Sequence, residues 1–102
     1  MPEPVDALRM ALLSVCRDTH APLHMIHVHV EDWLARPLAP GELEQAIGEL
    51  ARAGLLGAYR RERSGWTAFS LPEAAPLEEL RFLTTAAGAA AAYAAWRRFF
   101  EE

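Results

Sequence analysis

Four histidines are the residues of this 102-residue sequence with the most obvious chemistry, and they lie at positions His20, His24, His27 and His29. Neutral imidazoles bind zinc or nickel well. If "HMIHVHV" (residues 24–30) is a strand, His27 and His29 project from one face about 6 to 7 Å apart, with Glu31 or Asp32 as an acidic third ligand. Because no H-E-x-x-H motif accompanies them, we favour a polar strand face. We expect no metal or cofactor, and keep His27 and His29 as the candidate ligands.

The nucleophilic side chains carry no catalytic signature. Cys16 is the only cysteine, which excludes a disulfide or a cysteine-based zinc site within one chain, and it lies in an apolar stretch typical of a core residue. The serines lack a nucleophile motif, and the sequence contains no glycine-rich phosphate loop. The carboxylates fall on predicted solvent faces. We therefore predict that the protein is not an enzyme.

Positive charge is concentrated in one part of an acidic chain. The formal net charge is -4, yet residues 54–71 carry three arginines, Arg60, Arg61 and Arg63, and one glutamate. Such a cluster suits phosphate, although arginines also keep edge hairpins soluble. All ten basic residues are arginine, and lysine and asparagine are absent. Because both absent residues use AT-rich codons, we infer a GC-rich bacterial source.

The first half of the chain shows two different periodicities. Residues 5–18 place Val5, Leu8, Leu12 and Val15 on one face, which predicts a helix. "HMIHVHV" then alternates apolar and polar residues, which predicts a short strand. A short second helix should follow and end near Pro37.

The segment "PGELEQAIGELARAGLL" (residues 40–56) predicts a third helix. Leu43, Ile47 and Leu50 face inward, and Gly54 caps the carboxyl end. The solvent face then carries Gly41, Glu42, Glu44, Gln45, Gly48, Glu49 and Arg52. After this helix, "LLGAYRR" and "WTAFSL" flank the turn residues "ERSG", as expected for a β-hairpin.

A last helix is predicted from Leu77 to Phe100. Its apolar residues recur at alternating spacings of four and three: Phe82, Ala86, Ala89, Tyr93, Trp96 and Phe100. At 24 residues it would be about 36 Å long, more than a domain of this size needs, so we predict a homodimer through this stripe. The alternative is that the stripe covers the first helix of its own chain. The uncharged run 82–96 spans only about 22 Å, too short for a membrane of about 30 Å.

The order helix, strand, short helix, helix and hairpin resembles the winged-helix domain over residues 5–71, mainly through "ELARAGLLGAYR" and "GWTAF". A wing followed by one carboxyl-terminal helix is similar to the short PadR-type regulators. The resemblance implies an α+β fold with a winged-helix domain over 1–73 and a dimerisation helix over 74–102. It also implies double-stranded DNA as partner and a role in transcription regulation.

On that interpretation, Gln45 and Arg52 would contact the groove, and Arg60, Arg61 and Arg63 would contact phosphate. Three carboxylates on the third helix oppose this, because they repel DNA. They favour a different class of function, a winged-helix module that binds protein through its acidic third helix without nucleic acid. The amino terminus lacks the basic and small-residue pattern of a signal peptide, so we expect a cytoplasmic protein.

Overall fold

Residues 5–69 and 77–100 are the part of the chain that the computed structural model describes, and they form both helices and strands. In order, the elements are α1 Ala7–Val15, β1 Ala21–Pro22, α2 Leu23–Leu34, α3 Glu42–Arg52, β2 Leu56–Glu62, β3 Gly65–Phe69, a short 3-10 helix Leu77–Glu79, β4 Arg81–Thr84 and α4 Ala86–Phe100. Over these residues the fold is α+β, with four α-helices and one four-stranded antiparallel sheet.

Strand β4 lies inside the sheet, whose order is β1-β4-β2-β3. Its Phe82 faces Ala21 of β1 on one side and Ala58 of β2 on the other. The predicted domain boundary between residues 73 and 74 lies outside the described residues. Strands from both sides of that boundary nevertheless share one sheet.

The hydrophobic core lies between the helices and one face of this sheet. Phe82, Leu12, Leu13, Ile26 and Ile47 are among its largest fully buried side chains. Among the described residues no polar or charged side chain is buried, so the core depends on apolar packing alone. None of the described helices is long and apolar enough to cross a membrane.

The apolar face predicted for helix α1 is the face that packs against the core. Leu8 and Leu12 are buried, and Val5 and Val15 pack against the core from its edge. The helix begins later than predicted because the Asp6 side chain accepts a hydrogen bond from the backbone N–H of Arg9 at 2.9 Å and caps the first turn.

The strand predicted over residues 24–30 is wrong, and so is the short second helix. These residues belong to the twelve-residue helix α2. Ile26 and Val30 are fully buried one helical turn apart, whereas Val28, which a strand would also turn inward, is 63% exposed. The helix ends at Leu34, before Pro37, and the next residue, Ala35, adopts the left-handed conformation with φ 56°.

Helix α3 and the β2–β3 hairpin match the predictions. Leu43, Ile47 and Leu50 are buried, and Gly54 follows the helix with φ 78°. The hairpin turns at Gly65, whose φ of 125° favours glycine. Sequence periodicity and turn chemistry agree here, which explains why the prediction succeeds.

The last helix is shorter than predicted. Residues 81–84 form β4, and α4 begins only at Ala86. Two threonines hold the chain at this change from strand to helix. The Thr84 N–H donates to the Cys16 carbonyl at 3.0 Å, and the Thr84 hydroxyl Oγ1 donates to the Leu13 carbonyl at 2.6 Å. Thr85 Oγ1 accepts from the Gly88 N–H at 2.9 Å and caps α4. The 15 residues of α4 span about 22 Å, so the length argument for a dimer no longer holds.

Candidate nucleic-acid interface

The solvent face of α3 carries the residues predicted for it. Gln45, Glu44 and Arg52 are exposed, because the opposite face of the helix is buried in the core. Gln45 does not point freely into solvent, since its Nε2 donates to Glu49 Oε2 at 3.3 Å. Arg52 lies in the last turn of the helix, next to the start of β2.

Glu42 is neutralised by an arginine from the preceding connection. Arg36 donates to both carboxylate oxygens of Glu42, at 3.2 and 2.9 Å, and the Ala39 N–H donates at 2.9 Å. The hydrogen bonds from Arg36, and next the one from Ala39, lower the pKa of Glu42 to about 2. The pair therefore fixes the α2–α3 connection and cancels one negative charge on α3.

Glu49 is neutralised from the opposite side, by Arg9 of α1. Arg9 donates to a Glu49 oxygen, and its other terminal nitrogen donates to Asp6 at 2.9 Å. The hydrogen bond from Arg9 is the main reason that the pKa of Glu49 is lowered. Of the three acidic residues on α3, only Glu44 is in no ion pair with another described residue. The face is thus less negative than the sequence indicates.

The three arginines of the hairpin are all exposed, but they do not share one face. In the β2–β3 register, Arg61 lies opposite Trp66 and Arg60 lies opposite Thr67. Since successive residues of a strand point to opposite faces, Arg60 and Arg61 project on opposite sides of the hairpin. Arg63 lies in the turn itself. The predicted arginine cluster is therefore divided between the two faces and the tip.

The outer face of the sheet, away from the core, carries a group that sequence reasoning missed. We call it the outer-face cluster, and it consists of His20, Tyr59, Arg61, Trp66 and Arg81. The His20 ring stacks on Trp66 with centroids 4.2 Å apart, and meets Tyr59 edge-on at 4.9 Å. The guanidinium carbons of Arg61 and Arg81 lie 5.8 and 5.9 Å from the Trp66 ring centroid. The register of the hairpin is enough to predict that Arg61 and Trp66 are neighbours. No local sequence pattern, however, places the loop residue His20 beside them.

The candidate metal ligands His27 and His29 do not share one strand face as predicted, because both lie on helix α2. On helix α2, His27 pairs with Glu31 through Nε2 and Oε2 at 3.0 Å, one turn apart, and His29 projects in another direction. The Leu38 N–H, and secondly His27, lower the pKa of Glu31. No group of three potential ligands that could hold a metal occurs among residues 5–69 and 77–100.

Cys16 is a buried core residue. Its side chain is fully buried at the end of α1, and burial raises the pKa of the thiol to about 12. The protonated form therefore prevails at neutral pH, and the thiolate needed for attack is scarce.

Only part of the predicted dimer stripe is exposed and able to contact a second chain. Phe82 is fully buried in β4 and cannot contact a second chain, because it forms part of the domain's own core. Ala86 is exposed and Ala89 partly buried, at the start of α4. Toward the other end Tyr93, Trp96 and Phe100 are 62%, 45% and 60% exposed. Beside them runs a groove of about 550 Å³ between α1 and α4, lined in part by Leu13, Ala92, Tyr93 and Trp96.

Comparison with protein-family models, curated proteins and solved structures found no match for this chain.

Proposed function

We propose that this chain is a winged-helix protein that binds double-stranded DNA as a homodimer and regulates transcription in the bacterial cytoplasm. The order α1, β1, α2, α3 and hairpin supports this assignment, because a two-stranded wing directly follows helix α3 along the chain. Strand β4 and helix α4 extend that arrangement.

The observation that carries the proposal is the β2–β3 hairpin, which follows α3 directly and bears three exposed arginines in a chain of net charge -4. Arginine side chains on a wing suit phosphate oxygens, and phosphate contacts supply most non-specific affinity. Gln45 and Arg52 on α3 are the groove contacts of the proposal, for which Gln45 exchanges its bond with Glu49 for one with a base.

The pairing of Glu42 with Arg36 and of Glu49 with Arg9 supports DNA over a protein partner of the acidic helix. Both pairs reduce the repulsion that α3 would exert on phosphate. They also remove two of the three charges that a basic protein partner would recognise. Binding of protein through α3, without nucleic acid, is therefore the function to which a negative DNA-binding result would point.

The homodimer is proposed on the exposed aromatic residues of α4. Tyr93, Trp96 and Phe100 are each about half exposed, which leaves roughly 300 Å² of ring surface per protomer in water. A stable interface buries about 800 Å² per partner, so the aromatics supply part of it and the neighbouring α1–α4 groove adds to them. A two-fold arrangement is self-complementary and covers both copies at once.

The test is binding to random-sequence duplex at several salt concentrations. Replacing Arg60, Arg61 and Arg63 together by alanine should weaken binding to all sequences and flatten the log–log salt slope by about 0.9 for each lost phosphate contact. Thr67→Ala, which removes an exposed uncharged side chain from the same hairpin, is the matched control and should leave the slope unchanged. An unaltered slope in the triple variant would remove the wing from the interface.

A further inference from the structure

We infer that the outer-face cluster binds single-stranded nucleic acid, with unpaired bases stacking on its aromatic rings and phosphates pairing with Arg61 and Arg81. This surface shares Arg61 with the wing, but its three rings and Arg81 take no part in the proposed duplex contacts, so the inference goes beyond the proposed duplex binding. Three of its residues, His20, Tyr59 and Trp66, supply rings, and the other two supply permanent positive charge.

The positive charge of this face is not neutralised within the described part of the chain. Arg9 and Arg36 each pair with carboxylates, whereas Arg61 and Arg81 are in no ion pair with a described residue and contact the Trp66 ring instead. A guanidinium above an aromatic ring keeps donors free for a phosphate. Because the whole chain is acidic, this local excess selects an anionic ligand.

The rings lie across the sheet surface instead of entering the core. Tyr59 lies over Gly57, where an added Cβ would come within 2.8 Å of the Tyr59 ring, so the glycine makes room for it. Trp66 remains 38% exposed even though His20 stacks on it. Part of the stacked group therefore faces solvent and can receive another ring.

An unpaired base fits this surface better than a base pair does. Bases in a duplex stack on one another and hide their ring faces, whereas single strands offer a face at every nucleotide. Arginines beside the rings suit the phosphate that follows each base, since neighbouring phosphates and bases alternate along the strand. The same chemistry applies to single-stranded DNA and RNA.

The direct test uses the intrinsic fluorescence of Trp66. The sequence has three tryptophans, so the variant Trp33→Phe, Trp96→Phe keeps Trp66 as the only one. Titration with oligo-dT and oligo-rU of about 12 nucleotides should quench this signal as bases stack on the cluster. Binding without quenching, or no binding by either oligonucleotide at low salt, would overturn the inference.

Two substitutions and their controls locate the contact. Trp66→Ala should weaken oligonucleotide binding roughly tenfold, while Trp33→Ala, which removes a similarly exposed tryptophan from α2, should not. Arg81→Gln should reduce the single-strand salt slope by about 0.7, while Arg17→Gln should not. Equal binding by the cluster variants and their controls would contradict the assignment.

Duplex binding measured on the same proteins separates this inference from the proposed function. If duplex binding persists in Arg81→Gln and no oligonucleotide binds, only the inference about the outer-face cluster is refuted. Oligonucleotide binding without duplex binding would retain the cluster and refute the proposed function.

Discussion

Gly88→Ala should destabilise the protein strongly, because Gly88 is where α4 crosses the start of β2. The residue is buried, and a Cβ built on it would lie 2.0 Å from the Leu55 carbonyl oxygen and 2.8 Å from Thr84 Cγ2. The nearest obstacle is backbone, and the Leu55 carbonyl already accepts the Thr85 N–H at 3.1 Å. Alanine therefore forces α4 away from the sheet.

The size of the effect follows from two opposing contributions. Overpacking of this kind costs about 3 kcal/mol, at the upper end of the usual range, because backbone must move. Alanine gains about 1 kcal/mol over glycine as a helix former. The net loss is about 2 kcal/mol, which lowers the melting temperature of a domain of this size by about 8 to 16 °C.

Gly48→Ala in α3 is the matched control, because there an added Cβ would lie 3.2 Å from the end of the flexible Arg52 side chain. Helix propensity should dominate, and the melting temperature should rise by up to about 8 °C. Thermal unfolding followed by circular dichroism compares both variants with the parent protein. If Gly88→Ala melts no lower than the parent, the crossing of α4 over Leu55 is wrong.

Three further results are expected. The pair with Arg36 lowers the pKa of Glu42 from 4.5 to about 2, so it stabilises the fold above about pH 4.5 and this stabilisation is lost as the pH falls to about 2. Glu42→Gln should therefore make the stability less dependent on pH in that window. An acid unfolding curve identical to that of the parent protein would contradict the ion pair. Trp96→Ala with Phe100→Glu should convert a dimer to monomer or aggregate in sedimentation, and a parent protein that is monomeric at about 100 micromolar would refute the dimer. Glu44→Gln should raise non-specific duplex affinity, since it deletes an unpaired negative charge, whereas a drop in affinity would show that Glu44 makes a specific contact.

The sequence predicts those elements whose local signals agree. In α3, apolar residues at the i, i+4 and i+7 positions and a terminal glycine favour the same helix, and in the hairpin Ser64 and Gly65 favour the same turn. Residues 24–30 carry two patterns at once. The alternation of histidine and valine fits a strand, but Ile26 and Val30 also fit one face of a helix, and the exposed Val28 distinguishes them only in the structure.

Non-local contacts account for the rest. Strand β4 forms because it pairs with β1 on one side and β2 on the other. The sequence does not reveal this strand, because the helical pattern of the alanine-rich residues after Phe82 also extends back over it. The pair between Arg9 and Glu49 joins residues 40 positions apart, so the sequence shows a carboxylate but not its neutralisation. The outer-face cluster likewise depends on the position of His20 in a loop.

Duplex binding as a function of salt tests the central proposal most directly. A labelled random-sequence duplex is titrated with the unmodified protein, and binding is followed by fluorescence anisotropy. If the three wing arginines of each protomer contact phosphate, six contacts give a log–log slope of about -5, and affinity falls roughly a thousandfold between about 50 and 200 mM salt. Absence of binding at about 50 mM salt, or binding that salt does not weaken, would contradict a DNA-binding wing.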